Sequence, residues 1–191
     1  MKWCPSPLSA APALALILTG CTAGAPRTTR MTADDFDAMI AAMAASFIQS
    51  DAVASRTPDS PPWIITIDKV QNLTSDVMTD AEQWAIMARL RNSAPIRALW
   101  DQKNIRFVIP AQRVARLRRR HGPTAFDESF GSQRRPTHEM SATFRCVTRA
   151  IARQRTELYF CEFEIIDLAT AEPVWADRFE YKRVARGHVW D

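Results

Sequence analysis

Three successive runs in the last third of the chain alternate apolar and polar residues with a period of two, and this confines the region to a sheet with one buried and one wet face. In residues 137–150, Met140, Ala142, Phe144 and Cys146 fall on one side, and Ser141, Thr143, Arg145 and Arg149 on the other. In residues 156–168, Tyr159, Cys161, Phe163 and Ile165 share a face opposite Glu162 and Glu164. In residues 173–185, Trp175, Phe179 and Tyr181 alternate with charged residues. Short polar breaks join the runs, so the pattern predicts an antiparallel meander with one face against a helical layer. Arginines across its first two strands oppose glutamates, each pair contributing tenths of a kcal/mol.

The part before the meander supplies the helices. Phe36, Met39, Ile40, Met43, Phe47 and Ile48 recur at helical spacing behind Thr32-Ala33-Asp34-Asp35, a capping box with Asp in the reciprocal place. Residues 55–62 hold three prolines and form a connection. Residues 63–70, WIITIDKV, begin apolar on both faces and predict a central strand, followed by a loop, QNLTSD. Thr79-Asp80-Ala81-Glu82 opens a second helix through Arg91 with Trp84, Met87 and Ala88 facing inwards, and Pro95 restarts a short helical piece. Residues 104–109 read as another strand, and Pro110 begins an arginine-rich helix with a narrow apolar edge at Val114 and Leu117, closed by Gly122. Phe126 and Phe130 pin the loop that follows. The predicted fold is a single small α/β (α+β) domain: a mixed, largely antiparallel sheet with a C-terminal β-meander flanked by helices.

The N-terminus predicts export. Residues 8–18 are apolar apart from Ser9, too short a run for the roughly 18 to 20 residues that span a bilayer. Leu18-Thr19-Gly20-Cys21 reads as a lipobox, an aliphatic residue and two small ones before cysteine. Residues 1–20 are then a lipoprotein signal peptide, Cys21 is the acylated first residue, 21–31 form a short tether and 32–191 the folded domain. Acyl chains contributing about 0.8 kcal/mol per buried methylene make a stable anchor without a spanning helix. Thr22 follows the cysteine, where an aspartate commonly retains such proteins in the inner membrane; its absence points to the outer one.

Charge is unevenly spread. The net value is +4, yet between Arg113 and Arg155 eleven arginines meet three carboxylates, while residues 34–82 are acidic. Nucleic acid is the expected partner of such a block in a cytosolic protein, and export argues against it. A solvated face remains open beside a patch for an acidic protein, phospholipid headgroups or an anionic wall polymer. Arg116, Arg118, Arg119, Arg120, Arg134 and Arg135 are its candidate partner-binding residues.

Cys4 leaves with the signal peptide and Cys21 carries lipid, so Cys146 and Cys161 are the pair left to consider. A turn centred near Arg153 and Gln154 sets them directly opposite each other and inward, where only a strained disulfide forms, so free thiols are expected. His121, His138 and His188 lie far apart, and His138-Glu139 lacks the second histidine of HExxH. No phosphate-cradling glycine loop, metal-ligand spacing or catalytic motif is present in the sequence, so no cofactor, metal or catalytic residue is assigned.

Taken together, VQNLTSD, RFVIP, RRPTHEMSATFR and YFCEFEIIDLATAEPVWADRFEYKR resemble the penicillin-binding protein activator lipoproteins of the LpoB type, over about residues 32–183. The resemblance implies a fold like the N-terminal domain of the Tol translocation component. It further implies a non-enzymatic outer-membrane lipoprotein, facing the periplasm, that stimulates a class A penicillin-binding protein, a bifunctional peptidoglycan synthase. The tether departs from the family, whose members often carry a long disordered tail; ten residues extended reach roughly 35 Å. The alternatives are a structural or assembly lipoprotein of an outer-membrane secretion or envelope complex, and a wall hydrolase.

Overall fold

A computed structural model describes residues 28–121, 135–151 and 153–186. Signal peptide, lipobox, Cys21, His188 and the loop with Phe126 and Phe130 lie outside them. In chain order the elements are α1 (Ala33–Gln49), α2 (Asp51–Ala54), β1 (Trp63–Leu73), α3 (Asp80–Asn92), α4 (Ala94–Lys103), β2 (Ile105–Val108), α5 (Ala111–His121), β3 (His138–Ile151), β4 (Gln154–Asp167) and β5 (Pro173–Arg186). Five strands form one mixed sheet in the order β2-β1-β3-β4-β5. Parallel pairing joins β1 to β2 and to β3, and antiparallel pairing joins β3, β4 and β5 into the meander. This is a single small α+β domain, as expected.

Local chemistry explains where the helices begin and end. Glu82 accepts the Thr79 N–H at 2.7 Å while the Thr79 hydroxyl accepts the Glu82 N–H at 3.3 Å, closing a capping box on α3. Ser50 adopts an extended conformation that ends α1 and starts the short α2, a break not visible in the apolar spacing. Asn104 takes left-handed φ of 52° at the end of α4, a conformation asparagine tolerates well, and turns the chain into β2.

The core lies between the sheet and α1, α3 and α4. Met39, Met43 and Phe47 of α1 join Ile65 and Ile67 of β1 and Met140, Phe144, Phe163 and Ile165 of the meander. Phe47 packs edge-on against Phe107 of β2, centroids 6.3 Å apart, and against Trp175 of β5, 5.2 Å apart. One side chain thus touches both outermost strands, so the sheet curls around α1. The face of α3 differs from the sequence expectation: Ile86, Met87 and Leu90 are buried, whereas Trp84 and Ala88 are half-buried. Leu90 and Ile86 lie one turn apart on the buried side of the helix, and Trp84 instead receives the Arg113 guanidinium at 4.9 Å.

The first half of the predicted QNLTSD loop is strand. Gln71, Asn72 and Leu73 extend β1 past an irregularity between Ile67 and Val70 and pair with Thr143, Phe144 and Arg145.

The meander faces fall as the alternation requires, but its register is two residues from the one expected. Ile151 pairs with Gln154, so Cys146 faces Tyr159 and Cys161 faces Phe144. An even shift keeps every side chain on its own face, which is why the alternation survives. The cysteines become diagonal neighbours, at a Cα separation of about 7 to 8 Å, beyond the usual disulfide range. Both thiols are free. Burial pushes both up in pKa, Cys161 to about 12, with Glu157 adding to the effect at Cys146. Maleimide at pH 7.5 should therefore label the native protein slowly, Cys146 ahead of the buried Cys161, and both rapidly in urea; a Cys146–Cys161 disulfide in the intact mass would contradict this register.

His138 is structural. Its ring packs on Trp63 at 4.4 Å, its Nδ1 lies 2.7 Å from the Thr137 hydroxyl, and burial lowers its pKa despite Asp167 nearby.

Candidate functional site

Two features of the fold bear on binding: an arginine-bearing face, and a strap that fixes the N-terminal segment to the meander.

The basic face begins on α5. Arg116 and Arg119 are exposed on this helix, Val114 is half-buried and Arg113 lies over Trp84. The side chains of Leu117, Arg118 and Arg120, though on α5, fall outside the described set, as does all of Arg134. Arg135 is exposed ahead of β3, beside Thr137, whose N–H donates to the Ile64 carbonyl at 2.9 Å. It therefore stands on a different element from Arg116 and Arg119. Neighbouring α3 carries the acid that sits closest in effect to this face: Lys69 holds the Asp80 carboxyl below its ordinary range through a 2.7 Å contact, with Arg116 contributing at longer range.

Folding enlarges this face beyond the block visible in sequence. Arg91 at the end of α3 is half-buried, and its pKa is lowered by burial and by the positive charge of Arg113. Arg97 of α4 is exposed, and Arg106 of β2 stacks on Trp100 with its guanidinium 3.9 Å from the ring centroid. None of these three belongs to the stretch from Arg113 to Arg155. Only the packing of α3, α4 and β2 gathers them; the paired Arg and Trp in IRALWDQKNIRF are the one local hint.

The strap is residues 28–32. Thr29 is fully buried and hydrogen-bonds to Glu157, itself fully buried on β4. Glu157 also accepts from Arg155 at 2.6 Å and from the Tyr159 hydroxyl at 2.9 Å. The same hydroxyl lies 2.7 Å from Asp76, so a single phenolic proton faces two carboxylates, and burial with these two acids pushes the Tyr159 pKa far up. One turn into α1, Asp35 accepts the Thr32 N–H at 2.7 Å and pairs with Arg183 of β5. Burial alone raises the Asp35 pKa, but the hydrogen bonds from Thr32, Arg183 and Tyr181 prevail and hold it at about 2. The end of the polar N-terminal stretch is thus bound to the sheet.

No protein-family model matches the chain, and no curated protein matches it. Among solved structures it is similar to the LpoB C-terminal domain from Escherichia coli, with 13% identity, a TM-score of 0.44, and coverage of 77% of this chain and 98% of that one. The LpoB C-terminal domain from Salmonella enterica gives 10% identity and a TM-score of 0.42 over 77% of this chain and 98% of the other. Lipoprotein GNA1162 from Neisseria meningitidis gives 14% and 0.40, over 64% and 84%. Among the described residues no helix is long and apolar enough to cross a membrane.

Proposed function

We propose that this chain is an outer-membrane lipoprotein, acylated at Cys21 and facing the periplasm, whose domain binds a class A penicillin-binding protein and raises its glycan-polymerising rate without being an enzyme itself. The observation that carries the reading is the sequence resemblance to activator lipoproteins of the LpoB type. Its span, about residues 32–183, runs from the N-cap of α1 to three residues short of the end of β5. The exposed Arg116 and Arg119, with Arg118, Arg120, Arg134 and Arg135, supply the basic contact for an acidic partner. Such patches chiefly speed encounter and fix orientation. The short reach from Cys21 to the strapped Thr29 demands a partner or a partner domain close to the anchoring membrane.

The test adds the full-length chain, in non-ionic detergent, to the class A synthases of the same organism and follows lipid II consumption. The expected result is faster consumption with at least one synthase, and Arg116→Glu with Arg119→Glu should slow association roughly tenfold and flatten its salt dependence. No binding and no stimulation with any of them would overturn the reading. Mass spectrometry of the mature protein checks the anchor: a chain starting at Cys21 with added lipid is expected.

A further inference from the structure

A cleft of about 450 Å³ opens between the C-terminal end of α3, α4 and the free edge of β2, lined by Arg91, Arg97, Trp100 and Asp101 together with Asn92 and the apolar Ile96, Ile105 and Phe107. Arg106 covers Trp100 at its margin. Two guanidinium groups therefore line the opening, a third lies over Trp100 beside it, and Asp101 is the single carboxylate among the lining residues. Among the described residues Arg91, Arg97 and Arg106 have no carboxylate within ion-pair distance; Arg91 donates to the side-chain oxygen of Asn92 at 3.1 Å, and the Arg106 Nε–H is buried with no acceptor. Other arginines do hold carboxylate partners: Arg89 with Asp37, Arg145 with Glu162, Arg178 with Glu180 and Arg183 with Asp35. A buried N–H with no acceptor and like charges held together are both costly, and both costs fall when an oxyanion enters.

We propose that this cleft is a binding site for a phosphate group. Three cations less one carboxylate leave an excess of two, which suits a phosphate monoester carrying about −1.5 to −2 at neutral pH better than a monocarboxylate. The planar fork of arginine matches tetrahedral oxyanions in pairs of parallel hydrogen bonds. Trp100, half exposed, and the apolar floor of Ile96 and Phe107 offer surface for the organic part of an ester, while Asn92 and Asp101 can bond its hydroxyls. The site does not rest on the synthase reading, because it is measured without any protein partner.

The experiment is calorimetric titration of the full-length chain in non-ionic detergent with inorganic phosphate and, separately, with glycerol 3-phosphate. Saturable one-to-one binding is expected. Arg97→Gln and Arg106→Gln should each weaken it by roughly tenfold to a hundredfold, as loss of a charge-assisted hydrogen bond implies. Arg178→Gln, on the last strand of the meander, should leave it unchanged. Tighter binding of glycerol 3-phosphate identifies an esterified source such as a lipid headgroup; equal affinity identifies the phosphate group alone. Acetate at the same concentration should not compete. Absence of saturable binding overturns the proposal, as does equal weakening by Arg116→Gln and Arg119→Gln, which would show only diffuse attraction to the basic face. Arg97 is exposed, and an unchanged melting temperature for its variant separates loss of the site from loss of the fold.

Discussion

Phe47→Ala is expected to lower the unfolding free energy by about 3 to 5 kcal/mol, the usual range for removing a fully buried phenylalanine. Phe47 is 1% exposed and holds ring contacts to Phe107 on one outer strand and Trp175 on the other. Its removal leaves a cavity at the place where the curled sheet closes on α1, and neither edge strand can move in without breaking pairing to its neighbour. The urea midpoint should fall with little change in slope. The near-UV signal of Trp175 should weaken as well. A cost below about 1 kcal/mol would mean that the site collapses freely and that the curl does not depend on this ring.

The second large effect is expected at the buried end of the strap. Glu157→Ala removes the acceptor that Arg155, Tyr159 and Thr29 share and breaks the ion pair between this fully buried carboxylate and the partly buried Arg155 guanidinium. Breaking such a pair costs about 3 to 5 kcal/mol, whereas Glu157→Gln, which keeps an oxygen for Tyr159, should cost less. The same group makes stability acid-sensitive. Burial raises the Glu157 pKa, but the hydrogen bonds from Thr29, Tyr159 and Arg155 outweigh it and the net shift is downward; Asp35 is held at about 2. A carboxyl with a depressed folded pKa contributes stability that is present above its unfolded pKa and lost as pH falls through the folded value. Unfolding free energy should therefore decline from near pH 4.5 down to about 2, and Asp35→Asn should flatten that decline. A pH-independent midpoint over this range in the wild-type chain would contradict the assignment.

These two predictions differ in how far the sequence foretold them. Phe47 stands in an apolar stripe at helical spacing, so its burial was legible, as were the faces of Met140, Phe144, Cys161 and Phe163, because periodicity reports facing directly. Register was not legible. Moving the turn by one residue changes every partner by two and leaves each face intact, so alternation carries no information about whether Cys146 meets Cys161 or Tyr159. Burial of Asp35 and Glu157 was also hidden, since each reads locally as a surface charge. What makes burial tolerable is a partner remote in the chain: Arg183 lies 148 residues from Asp35, and Thr29 reaches Glu157 from the other end of the domain. The arginine-bearing face was half visible. Arg116 and Arg119 lie in an obvious basic run, whereas Arg91, Arg97 and Arg106 join it only once α3, α4 and β2 are side by side.

The strap also decides how the domain bears force. A pull on the N-terminal segment arrives at Thr29 and Thr32, and the bonds of Thr29 to Glu157 and of Asp35, in the first turn of α1, to Arg183 pass it into β4 and β5 before the rest of α1 is strained. Those strands are each 14 residues long and paired along almost their whole length. Tension is thereby diverted from the helical layer, and the domain hangs from its sheet, with α3, α4 and the arginine cleft carried as unloaded cargo.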